Sequence, residues 1–242
     1  SITLNTISNK SMFLLKYNSS GHLMWAKSPT GGIDNCGNSV TVDSTGNIYV
    51  TGYYKNSISF ESTTYLNSGG KDIYIAKYNS NGAILWVKTL GQSLDEETSK
   101  VKTDRKGNVY VCGQFSSSTI TWGGDTLQNS SLFKMDAFVF KLDSLGNSLN
   151  AFSFGGKLDE FVSDMAIDYS GNIGVTGGFR SDTLILGSRK FTCNGSGDTY
   201  ILQFDSTGNK TWAAALGGLA DDGGSNILFN NNGGLLVAVN FR

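Results

Sequence analysis

Proline is nearly missing from this chain of 242 residues, with Pro29 alone, and so is histidine, with His22 alone. A nucleophilic triad or a metal site built on histidine therefore has almost nothing to work with. Cysteine occurs three times, at Cys36, Cys112 and Cys193. An odd number at unrelated places reads as isolated thiols and argues against a disulfide framework. An excess of either charge is lacking too: 19 Lys and Arg stand against 20 Asp and Glu. Without a basic surplus to hold a phosphate backbone, nucleic acid is not an expected partner. No stretch approaches the roughly 18 consecutive apolar residues of a membrane span, so this chain is not expected to insert into a membrane. The N-terminus has no basic start followed by an apolar run. The chain begins at Ser1 and not at a methionine, from which a leader or a longer N-terminal part is expected to have been removed. Helical periodicity persists nowhere over a useful length.

Glycine is plentiful, at 31 residues, and Ser, Thr and Asn fill the gaps between short apolar stretches. That composition belongs to many strands joined by turns. One turn motif occurs four times, starting at Asp43, Asp104, Asp168 and Asn230, the first three reading Asp-x-x-Gly-Asn and the last a decayed Asn-Asn-Asn-Gly-Gly. The starts are separated by 61, 64 and 62 positions. A second motif interleaves with it, at Asn18, Asn79, Asp143 and Asp205, each with glycine three residues later. Asp or Asn at the first place bonds its own backbone and glycine takes the positive φ that closes the turn, so each repeat holds two tight hairpins. From the glycine of the second motif to the start of the next first motif the distance is always 22, whereas the other interval varies as 36, 39 and 37. Insertions are thus confined to one connection per repeat.

Four apolar runs flank these turns: in the second repeat Val40–Asp43, Asn47–Tyr53, Asp72–Tyr78 and Ile84–Lys88, here called strands A to D. Their equivalents carry apolar residues at consecutive positions, as in Val109–Cys112 and Ala137–Phe140. Strands buried on both faces look like that. Four-stranded antiparallel blades packed side by side supply two buried faces and protect the sheet edges. The expected fold is an all-β propeller of four repeats of about 62 residues, spanning residues 1–242 as one domain or propeller segment. The repeats run approximately over 1–38 together with 222–242, 39–99, 100–163 and 164–221. The chain opens inside a repeat, Ser1–Leu4 matching Thr119–Trp122, and closes after strand B of the last. The missing halves complement one another, which leaves two arrangements open: a closed four-bladed ring, or an excerpt of a larger one.

Trp25, Trp86 and Trp212, the pairs Gly31-Gly32, Gly155-Gly156 and Gly217-Gly218, the Asp-x-x-Gly-Asn turns and the run Asp72–Tyr78 together resemble the bacterial "seven-bladed β-propeller" repeat family, abbreviated SBBP. The resemblance extends over essentially the whole chain. It implies a secreted or cell-surface bacterial protein, commonly part of a large multi-domain one, and supplies no catalytic residues. The sequence departs from the pattern at Asn150 in the Trp position, at Ser11 in the place of Asp72, and at the Asn230 turn.

In such a fold the A–B and C–D turns lie at one end and the B–C and D–A connections at the other. The length variation makes the second end the expected recognition face. Its aromatics, above all Tyr54, Tyr65, Trp122 and Phe191, suit a sugar or a protein partner at the cell surface. The bland alternative makes Phe60, Trp122 and Leu186 plugs of a small extra hairpin. The D–A connections bear acids in register: Asp34, Asp95 with Glu96, Asp159 with Glu160, and Asp221 with Asp222. A ring of carboxylates is a weak candidate for calcium, the only cofactor considered, and capping of backbone N–H groups at the turn into strand A is the favoured reading. The functional expectation is a non-enzymatic binding, adhesion or spacer module outside the cell. Two alternatives stand beside it: a carbohydrate-active hydrolase or lyase using an acid pair such as Asp95 and Glu97, and a structural protomer of a surface assembly.

Overall fold

The computed structural model describes residues 10–186 and 189–242, in which 22 strands and no helix form. Three full blades follow one another, each an antiparallel sheet in the order A-B-C-D. They comprise β3 (Asn35–Val42), β4 (Ile48–Tyr54), β7 (Asp72–Tyr78) and β8 (Ile84–Leu90); then β9 (Glu96–Thr103), β10 (Val109–Phe115), β13 (Asp136–Leu142) and β14 (Ser148–Phe154); then β15 (Glu160–Ile167), β16 (Ile173–Phe179), β19 (Asp198–Phe204) and β20 (Lys210–Leu216). Each inserts a two-stranded hairpin between B and C: β5 (Ser57–Phe60) with β6 (Thr63–Leu66), β11 (Thr119–Trp122) with β12 (Asp125–Gln128), and β17 (Thr183–Leu186) with β18 (Arg189–Thr192). The described ends are half-blades, β1 (Leu14–Tyr17) with β2 (Leu23–Lys27) and β21 (Gly223–Phe229) with β22 (Leu235–Asn240). These two halves form separate sheets and do not pair with each other. The expected match of Ser1–Leu4 to Thr119–Trp122 lies outside the described residues.

The turns behave as their residues dictate. Asp43 Oδ1 accepts the N–H groups of Thr45 and Asn47, both at 2.9 Å, while Gly46 takes φ +84°. Burial alone pushes the Asp43 pKa up, but the donors from Asn47 and Thr45 outweigh it and bring the carboxyl down to about 2. The decayed turn keeps this geometry: Asn230 Oδ1 accepts from the N–H groups of Asn232 and Gly234 at 2.9 and 2.8 Å. An amide oxygen substitutes for the carboxylate because only an acceptor is required.

Strands B and C lie in the middle of a blade and are covered by neighbouring blades on both faces. Every residue of β4 and of β7 is buried. The cores sit between blades, as where Tyr110 and Cys112 of one blade pack with Met165 and Tyr200 of the next. A polar latch repeats at the first three junctions. Lys16 Nζ and Trp25 Nε1 both donate to the Ser80 carbonyl in the next C–D turn, at 2.6 and 3.3 Å, and Lys77 and Trp86 donate to that of Ser144, at 2.8 and 3.1 Å. Lys141 reaches the Ser206 carbonyl, with Asn150 in the Trp position donating to that of Thr207. A strands also bond directly, Val101 N–H to Ser39 Oγ at 3.2 Å and Ile227 N–H to Asp164 Oδ2 at 3.0 Å.

Candidate recognition surface

At the B–C and D–A end, backbone hydrogen bonds stitch each pair of loops together. Gly70 N–H donates to the Leu94 carbonyl at 3.0 Å and Glu96 N–H to that of Lys71 at 2.7 Å, with Glu160 to Met135 and Asp222 to Gly197 repeating the second bond. The registered acids serve this seam. Asp95 Oδ1 accepts the Lys71 N–H at 2.9 Å and Asp159 Oδ1 that of Met135 at 3.0 Å. Asp159 also lies 3.8 Å from Lys134 Nζ, and Asp221 lies 3.6 Å from Arg180. Asp34, Asp95, Asp159 and Asp221 stay on their separate junctions, and no group of three or more His, Cys, Asp or Glu side chains fit for a metal forms among the described residues. The acid pair of the hydrolase alternative is engaged as well, because Lys71 uses its N–H on Asp95 and its ammonium on Glu97.

Sequence reasoning missed a second set of acids. Asp72, Asp136 and Asp198 open the C strands at no more than 2% exposure, each accepting one loop N–H, from Ser68, Ser130 and Asn194. At two junctions Asp72 and Asp136 face Glu96 and Glu160, which open the next A strands; Glu160 accepts the Gly156 N–H at 2.7 Å. Asp136 Oδ1 is buried without a hydrogen-bond partner. Burial raises the Glu160 pKa to about 7, with the Asp136 charge adding to it against the donors from Ser181 and Gly156. The acids directly after Asp95, Asp159 and Asp221 were legible in the D–A loops; the overlooked signal was the acid that opens strand C in each full blade.

The expected aromatic platform is largely internal. Tyr54 is fully buried, its hydroxyl donating to the Leu66 carbonyl at 3.2 Å, and burial raises its pKa to about 12. The expectation that Tyr54 is a free contact residue is corrected: strand B runs one residue further than Tyr53, and its last residue pairs with both Asn35 and Asp72. Trp122 is 7% exposed, with its indole N–H on the Gly146 carbonyl at 3.0 Å and its ring against Phe140. It fills the β11–β12 hairpin, as Phe60 and Leu186 fill theirs, so the plug reading holds for all three. Tyr65 is partly buried beside Phe60, and Phe191 packs on the core while lining a shallow recess with Lys190, Asn194 and Leu216.

Other apolar side chains stand out at this end. Leu132 and Phe133 are 64% and 75% exposed in the loop between β12 and β13, and Phe133 holds φ +64°, a conformation unfavourable for any residue but glycine by about 1 kcal/mol. Met135, two residues on, bonds Asp159, which places this loop beside exposed Leu158; Ile33 and Leu219 are exposed in other D–A loops. The loop of Leu132 and Phe133 has seven residues against five in the equivalent loops of the other full blades. That is where the longest connection spends its extra length.

A family model described as a beta-propeller repeat, SBBP, matches residues 32–53. Over 293 aligned positions the chain is 24% identical to an uncharacterized WD repeat-containing protein of Acanthamoeba polyphaga mimivirus, covering 95% of this chain and 21% of that protein. It is also 25% identical to the regulatory protein FlaEY of Caulobacter vibrioides, over 62% of this chain and 16% of that protein. The chain therefore spans a small part of these curated relatives. Among solved structures the Pan2 WD40 domain of Neurospora crassa is similar at a TM-score of 0.48 and 12% identity, over 91% of this chain and 50% of that one.

Proposed function

We propose that this chain is a non-enzymatic interaction scaffold of propeller-type blades, whose B–C and D–A end recognises a protein. The observation that carries the reading is the pair Leu132 and Phe133: exposed apolar side chains, one in a strained backbone conformation, on the loop that alone among its equivalents is lengthened. Strain retained at an exposed apolar residue points to use, because nothing in packing offsets it. A protein partner suits this end better than a glycan, since Tyr54 and Trp122 are occupied inside and the large exposed groups are Leu132, Phe133, Leu158 and Leu219. Similarity to a WD repeat-containing protein supports a scaffold role. A place outside the cell, on a bacterial surface, belongs to the same proposal and rests on the SBBP resemblance.

The test is surface display of the chain against a peptide or protein-fragment library, with selected binders measured against Leu132→Ser/Phe133→Ser and against Leu145→Ser at the opposite end. Loss of binding in the first variant alone supports the reading. Binding that survives it and fails in the second moves recognition to the other end.

A further inference from the structure

We propose that the A–B end of the blades carries a second binding site, a polar recess that holds one sugar ring through the Arg105 guanidinium, the Tyr169 ring and the Asp168 carboxylate. It lies at the opposite end from the loops proposed above for a protein partner, and its argument is independent of them.

The recess opens where three successive A–B turns come together. Its lining is the ends of β9, β15 and β21 with the turn residues Asp104, Arg105, Asp168, Tyr169 and Asn231, and its volume is about 280 Å³. Pockets that engulf a drug-sized molecule have about 300–1,000 Å³, so this one has room for a single ring bearing polar groups.

The turn motif leaves its chemistry open at one place. In Asp-x-x-Gly-Asn the first, fourth and fifth residues make the turn, and the second is free to vary. That second place holds Ser44, Arg105, Tyr169 and Asn231 in successive repeats. Two of these side chains meet across a junction, the Arg105 guanidinium carbon lying 3.9 Å from the centroid of the Tyr169 ring. Tyr169 is nonetheless 71% exposed, and the guanidinium makes no hydrogen bond or ion pair among the described residues. Stacking fixes the guanidinium while its N–H donors stay available.

The third full blade supplies an acceptor. In the first two a strand B tyrosine gives its hydroxyl to the turn aspartate, Tyr49 to Asp43 Oδ2 at 3.1 Å and Tyr110 to Asp104 Oδ2 at 3.0 Å. Gly174 stands at this place in the third. There Asp168 Oδ1 accepts the turn N–H groups of Ser170 and Asn172, both at 2.8 Å, and Oδ2 accepts from the Asn172 amide at 2.7 Å. The turn is complete, yet a carboxylate lining the recess lacks the O–H donor that its equivalents receive. What its equivalents receive is a neutral hydroxyl, and that identifies the ligand's group.

Charge narrows the class further. A simple anion here meets Asp168, and a simple cation meets Arg105. A neutral compound with adjacent hydroxyls accepts from the one and donates to the other, and its C–H groups suit the Tyr169 ring. Exposed Asn231 adds an amide that does both. A sugar ring has all these features.

The chain itself supplies tolerated variants. Arg105→Ser and Tyr169→Ser introduce what the first full blade has at Ser44, and Asp168→Asn borrows the amide with which Asn230 keeps its turn. Saturation-transfer NMR of the full chain is recorded with free glucose, galactose, mannose, fucose and N-acetylglucosamine at millimolar concentration, and with glycine and acetate as zwitterionic and anionic probes. The expected result is transfer to at least one sugar and to neither glycine nor acetate. Each of the three variants, shown to be folded by thermal unfolding, is expected to weaken sugar binding about tenfold or more, because each removes one of the groups that hold the ring. Leu132→Ser/Phe133→Ser is expected to leave it unchanged. Transfer to none of the sugars would overturn the proposal, as would binding that persists in Arg105→Ser and Asp168→Asn, or binding of glycine or acetate in place of a sugar. Protein recognition through Phe133 is read separately, by the selected binders, and stands or falls on its own.

Discussion

The full blades and the half-blades are written in the same repeat, yet strand B is wholly buried in β4 and alternates between half-buried and exposed in β22. The difference lies in what stands on either side. Sequence equivalence therefore specifies a strand and its turns, while burial, and the stability that follows from it, comes from neighbouring blades. Repeat architectures behave this way, with stability shared between a unit and its interfaces.

The sharpest way to break this comparison is to cut the same kind of side chain in both regions. Phe138, fully buried against Phe115 and Phe140, should cost about 3–5 kcal/mol when changed to Ala, whereas Leu236→Ala, at an exposed position, should cost no more than about 0.5 kcal/mol. Urea unfolding of the dilute chain measures both. Equal losses would mean that the half-blades are as well packed as the middle.

A second prediction uses the acids that face each other between full blades. The folded Glu160 carboxyl keeps its proton to about pH 7, while the unfolded one releases it near 4.5. Between these values the folded state binds more protons, so raising the pH through this window should destabilise the protein by about 3 kcal/mol. Asp43, lowered to about 2, works in the opposite sense: its stabilisation is present above the ordinary carboxylate range and is lost as pH falls toward 2. These two groups together therefore place the maximum of stability at about pH 4. Glu160→Gln should flatten the upper window. At the first junction Ser11 and Asn35 stand where the other junctions have acids, so that junction carries no such carboxylate pair.

Smaller effects sharpen the contrast. Trp86→Phe removes a hydrogen bond between blades and should cost about 1 kcal/mol, against less for Trp212→Phe in the dilute chain, where the lost bond lies within one blade. Phe133→Gly should stabilise by up to about 1 kcal/mol by releasing the positive φ, while abolishing partner binding. Thermal unfolding and the binding measurement together test that opposition.

Much of this was legible in the sequence because turns are local. Asp43, Asp104 and Asp168 with their glycines mark hairpins whose geometry needs nothing beyond five residues. The consecutive apolar runs revealed two-sided burial for the same reason. Tyr54 was misjudged because a strand's last residue and a loop's first look alike in composition, and only pairing with Asn35 and Asp72 on both sides separates them. Strand A likewise begins at Asn35, earlier than its apolar run, because a bulge between Gly37 and Ser39 interrupts the alternation. Leu132 and Phe133 escaped notice because they fit no recurring pattern, being the residues that one repeat has and the others lack. Buried acids such as Asp136 were hidden by their charge, which composition assigns to the surface.

Amide hydrogen exchange of the dilute chain tests the central claim most directly, that neighbouring blades and not the repeat itself bury these strands. The account predicts slow and similar exchange in β4, β7, β10, β13, β16 and β19, with β22 exchanging far faster despite its equivalent sequence. Protection of β22 equal to that of β4, β10 and β16 would contradict it.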